Sequence, residues 1–125
     1  MKITIYIDIA RYPHLKLELK LAIELIDKIS STHGLTIDQE EARRAILNFD
    51  KYYEIALRRS NGYLIVPKNP INAFHGKVVV HKLRLILEND RKFVELILDR
   101  RFPKDILENA LRLIGFTEIE YQYLN

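Results

Sequence analysis

Asp8 and Asp99 each close a run of alternating apolar residues. If those runs are neighbouring parallel strands, both carboxylates stand at one sheet edge and on one face. Two acids so placed can share a Mg²⁺ ion for phosphodiester chemistry, with Glu95 as the base that orients water. The competing role for each is neutralising a neighbour among Arg11, Lys82, Arg100 and Arg101, as sheet-end acids commonly do. Mg²⁺ is the one cofactor suggested, and only under this phosphodiesterase or nuclease reading.

A second pattern is cationic. Arg44, Lys51 and Arg58 recur at intervals of seven, flanked by Arg43 and Arg59, with Lys68 and Lys77 further along. A basic row on one helix can follow a phosphate backbone, which makes nucleic acid or a ribonucleoprotein the expected partner. A solvated helix face would choose the same residues, because Glu40–Arg44 and Glu54–Arg58 are favourable i,i+4 pairs. A third pattern is apolar and aromatic. Ile86, Phe93 and Ile97 fall on one face of a hairpin together with Val80, and Tyr6 is expected beside them. That surface suits self-association or a protein partner, or stacking platforms for bases.

The remaining candidates read as structure. His75 and His81 are six apart and share a metal only if loop and strand bend together; hairpin register puts His81 on the core side opposite Leu98. His14 and His33 flank a helix as capping or solvated residues. Tyr52 and Tyr53 lie on an apolar helix side, although a tyrosine nucleophile beside Lys51 is the catalytic alternative.

Absences narrow the chemistry further. The chain has no cysteine, which removes thiolate nucleophiles, disulfides and thiolate metal sites. Its four glycines, at 34, 62, 76 and 115, form no phosphate-cradling loop, and HExxH and GxSxG are missing. A non-enzymatic binding module is therefore the leading expectation.

These residues need a scaffold. With 125 residues, 48% hydrophobic and 30% charged, the chain has the size and composition of one globular domain. Net charge is +3, enough to permit an anionic partner without requiring one. The opening residues lack the long apolar block of a signal peptide or membrane span, so a cytoplasmic location without membrane association is expected. Abundant Ile, Leu, Lys, Glu and Arg without Cys or Trp is a composition compatible with a thermophile.

Ile3, Ile5, Ile7 and Ile9 alternate with Lys2, Thr4, Tyr6 and Asp8, which predicts a strand over 2–9. Residues 15–21 fit both periods, since Leu15, Leu17, Leu19 and Leu21 alternate while Leu15, Leu19, Ala22, Ile26 and Ile29 form a helical stripe. Propensity and Pro13 favour a helix over 14–31. Thr36 and Gln39 resemble a capping box that opens a second helix over 37–60. YLIVP reads as a short strand and KNPINAFHG as a loop. Residues 77–88 and 92–99 form a hairpin about Asn89 and Asp90, with Arg84 opposite Glu95. A helix after Pro103 and a strand over 116–123 complete the chain. The order predicts an α+β, ferredoxin-like fold, β-α-β-β-α-β, in which 37–67 is a helical insertion and the first strand lies parallel to 92–99.

Overall fold

A computed structural model describes residues 1–124. It is an α+β fold of two layers. The elements are β1 (Lys2–Ile7), β2 (Pro13–Glu18), α1 (Leu19–His33), α2 (Ile37–Leu47), α3 (Phe49–Ser60), β3 (Tyr63–Ile65), α4 (Pro70–Phe74), β4 (Val80–Glu88), β5 (Arg91–Leu98), α5 (Lys104–Leu113) and β6 (Glu118–Tyr123). Six strands form one mixed sheet in the order β3-β4-β5-β2-β1-β6. Only β1 and β6 run parallel; every other neighbouring pair is antiparallel.

This sheet does not have the ferredoxin-like strand order or the β-α-β-β-α-β element order expected from sequence. Residues 13–18 are a strand, and that strand sits between β1 and β5. Both its edges are used: His14 pairs with Tyr6 on β1 and with Ile97 on β5. The alternation of Leu15 and Leu17, both buried, prevails over the helix preference of Leu, Lys and Glu because each flanking strand supplies backbone partners. The helical stripe takes over at Leu19, and α1 buries Ala22, Leu25, Ile26 and Ile29.

The hairpin fits its expected register closely. Asn89 and Asp90 both have positive φ, as a two-residue primed turn demands, and Glu88 opposes Arg91 while Arg84 opposes Glu95. Near the far end a bulge between Val80 and Lys82 shifts the pairing by one, so that Val80 opposes Leu98. The extra residue changes both assignments there. Val80 is fully buried, and His81 leaves the core side to stack on Tyr12 at 4.4 Å.

The segment expected as one helix over 37–60 is two, broken at Asn48. Its N-terminus is not a capping box either. Gln39 is buried and bonds Ser30 Oγ and the Gly34 carbonyl, leaving Thr36 Oγ1 without a partner among the described residues. Asp38, also buried, accepts the Val79 and Val80 N–H groups at 2.9 and 2.7 Å. It satisfies backbone donors where β4 begins. The loop 68–76 contains the short helix α4, capped by the Asn69 side chain.

Apolar faces of α1, α2, α3 and α5 all pack on the sheet face that carries Ile3, Ile5, Leu15, Leu17, Leu83, Leu85, Val94 and Leu96. The opposite face has no helix. It displays Tyr6, His14, Lys16, Tyr63, Lys82, Arg84, Ile86, Phe93 and Glu95. No helix of the described residues is long and apolar enough to cross a membrane.

Candidate functional site

Chain geometry first separates Asp8 from Asp99. Because β2 intervenes, the backbones of β1 and β5 lie two strand spacings apart, about 10 Å. The premise of neighbouring parallel strands does not hold for this pair, and each acid is engaged elsewhere. Asp8 Oδ1 accepts the Tyr12 N–H at 2.9 Å and Oδ2 meets His14 Nε2 at 2.8 Å. Asp99 Oδ1 accepts from the Arg101 backbone at 2.8 Å and from its guanidinium at 3.1 Å. Among the described residues no group of three or more His, Asp or Glu is placed to hold a metal ion.

Asp8 instead belongs with His14 and Glu95. Glu95 Oε2 lies 3.9 Å from His14 Nδ1, a distance for charge attraction rather than a normal hydrogen bond. The Glu95 carboxylate, and Asp8 at the other nitrogen, hold the His14 imidazole above its ordinary value in spite of its partial burial. His14 in turn lowers Glu95. Burial pushes the Asp8 carboxyl up, but hydrogen bonds from His14 and the Tyr12 N–H outweigh it, and the net direction is down. The group is an imidazole between two carboxylates, both of which favour its charged form. His14, expected as a capping or solvated residue beside a helix, instead lies on β2, and its partners follow from residues 13–18 being a strand.

The basic residues sort by whether a carboxylate already occupies them. Arg43 pairs with Asp27 at 2.9 Å, Arg44 with Glu41 at 3.1 Å and Arg58 with Glu54 at 3.6 Å. With the helix broken at Asn48, Arg44 and Arg58 also lie on different helices. Lys51 and Lys77 are exposed and have no ion pair among the described residues. Lys68 is partly buried, and its ammonium donates to the carbonyls of Val66 and His81 at 2.8 and 2.6 Å. Burial lowers its pKa, against the attraction of Asp38 and Asp99. It ties the loop to β4.

Arg59 has a different setting. With Ile55, Tyr63, Ile65, His81 and Lys82 it lines a cleft of about 670 Å³ between α3 and the β3–β4 edge of the sheet. No acidic residue lines this cleft. Arg59, Lys82 and Arg84 form no ion pair among the described residues. Lys82 Nζ and Arg84 Cζ lie 5.1 and 5.3 Å from the centre of the Tyr63 ring. Desolvation, with Lys68 and Lys82 nearby, lowers His81 and disfavours its charged form.

Local chain geometry builds this corner. α3 ends in a left-handed Asn61, and the Gly62 N–H reaches back to the Ala56 carbonyl at 3.0 Å, closing the helix end. Ser60 Oγ donates to the Tyr63 carbonyl at 2.6 Å. The chain then enters β3, where alternation sends Tyr63 and Ile65 to the helix-free face and Leu64 toward the core. What was readable in sequence was Arg59 and the turn at Asn61–Gly62. The convergence with Lys82 and Arg84 needed the β3–β4 pairing.

The apolar trio divides. Ile97 is fully buried within the chain and contributes no surface, since His14, Lys82 and their neighbours enclose it. Ile86 and Phe93 are half-buried. The most exposed large apolar residues are elsewhere, at Ile65, Phe74 and Ile9. Tyr52 and Tyr53 pack against the core. Compared with models of known protein families, with curated proteins and with solved structures, the chain matches none.

Proposed function

We propose that this chain is a nucleic-acid-binding module whose phosphate contacts converge on the cleft between α3 and the β3–β4 edge. The observation that carries this reading is that Arg59 and Lys82, which form no ion pair among the described residues, line a cleft with no acid among its described lining residues, with Arg84 beside Lys82 at the Tyr63 ring. A cation without an ion pair gives up no carboxylate contact when it meets a phosphate, and releases condensed counterions from the polymer as it does so; Arg84 gives up a hydrogen bond to the Asn61 carbonyl. Arg43, Arg44 and Arg58 must first give up a carboxylate. The apolar walls of Ile55 and Ile65 lower the local dielectric and strengthen each contact. Tyr63 adds a ring on which a base can stack.

Measuring affinity for a fluorescent oligonucleotide across a salt series tests the reading. Log K falls linearly with log salt, and Arg59→Gln and Lys82→Gln each reduce the slope by about 1. Arg44→Gln, which removes a cation already paired with Glu41, leaves the slope within error. Absence of binding at low salt, or binding indifferent to salt, sinks the proposal.

A further inference from the structure

We propose that the nucleic acid taken by this face is single-stranded, with one unpaired base stacked on Tyr63 and a second over Phe93. The inference rests on the cleft reading above and narrows its ligand class. Tyr63 and Phe93 both stand on the sheet face that no helix covers, on β3 and β5 with β4 between them. Tyr63 opposes Arg84, and Phe93 opposes Ile86, two residues further along β4. Two strand spacings and two residues of rise put the rings about 12 Å apart.

Each ring carries the same equipment. Lys82 and Arg84 lie within 5.1 and 5.3 Å of the Tyr63 centroid, and Lys16 and Arg91 within 4.9 and 5.2 Å of the Phe93 centroid. These long side chains lie over the rings, so a base that stacks on either ring must displace them from its face, and their charged heads are then beside its phosphate. The two platforms differ in charge, however. Lys16 is held by Glu88 at 2.7 Å and Arg91 by Glu18, while Lys82 and Arg84 at Tyr63 form no ion pair among the described residues, Arg84 donating only to the Asn61 carbonyl at 3.3 Å. Tyr63 is the anchor and Phe93 the weaker second step.

The same arrangement disfavours a duplex. Paired bases are stacked on one another and offer no face to Tyr63, so a duplex meets this surface only through its phosphates. Away from the cleft the same face carries Glu18, Glu88 and Glu95, which repel phosphates. Glu95 lies on the same strand as Phe93, across β4 from Tyr63 and directly opposite both Arg84 and Lys16. A strand crossing that point gains by turning bases rather than phosphates toward the sheet.

The experiment compares an unstructured pyrimidine strand of about 12 nucleotides with the duplex of the same sequence, at matched salt. The single strand binds more tightly; Tyr63→Ala weakens it roughly 5- to 150-fold and reduces the preference over duplex, whereas Tyr63→Phe retains both. Should Tyr63→Ala lose its cooperative melt, Tyr63→Leu fills similar space without a π-face and shows the same loss. Equal or tighter duplex binding, or full affinity in the variant without a ring, overturns this inference while leaving salt-dependent binding at the cleft intact. No salt-dependent binding to either form removes both.

Discussion

With one ring nitrogen on Asp8 and the other facing Glu95, His14 titrates as one member of a three-residue group on the helix-free face. A histidine raised above its ordinary value of 6.5 contributes stability that is fully present below that value and lost as pH rises through the folded value. Glu95 and Asp8 are lowered, so their contribution is present above the ordinary carboxylate range and lost as acid is added. The group therefore stabilises the fold most between those two limits. In an NMR titration the His14 ring has its midpoint above 6.5, and in Glu95→Gln it moves back toward that value. An unchanged midpoint in that variant breaks the assignment. At this scale the sequence was legible in type but not in partnership. Asp8 and Asp99 were singled out as sheet-end acids, and each does hold a local turn or cation. Nothing in the local spacing joins Asp8 to His14 until residues 13–18 are known to be extended.

Elements were most readable where local chemistry and tertiary pairing agree. Asn89 and Asp90 dictate a primed turn, and the hairpin register follows from them as far as the bulge at Val80. α5 follows the apolar stripe of Leu107, Ala110 and Leu111. Residues 13–18 were not readable because their pattern fits two periods and the deciding partners, β1 and β5, are remote in sequence. The α3–β3 corner depends on one glycine. Gly62 has φ +95°, and a Cβ there would stand 2.8 Å from the Leu85 carbonyl oxygen, which belongs to the strand that β3 joins. Gly62→Ala thus costs at least about 1–2 kcal/mol from the backbone conformation alone. Chemical denaturation measures that loss, and because the same corner positions Tyr63 and Arg59, oligonucleotide affinity declines with it. A variant as stable as the parent means the corner relaxes without cost.

Across the whole molecule, an α+β class was evident from composition and element order, but the strand order was not, since one unrecognised strand inserts into the middle of the sheet. The sheet is also closed at one side by its most distant segments. β6 lies parallel to β1 from Lys2–Glu118 to Ile7–Tyr123, and the Thr117 N–H donates to the Met1 carbonyl at 2.9 Å. Ending the chain at Phe116 strips β1 of one partner and exposes an alternating edge of six residues, KITIYI. Such a chain self-associates in sedimentation, whereas a monomer with an unchanged melt would show that β6 is dispensable. Thr117 and Met1 are 116 residues apart, so β1 waits for its outer neighbour while the chain between them is synthesised. At roughly 5–20 residues per second that wait lasts about 6 to 23 s. For that interval the nascent protein carries an unfinished flank, and whatever shields it on the ribosome must release it in time for the final strand.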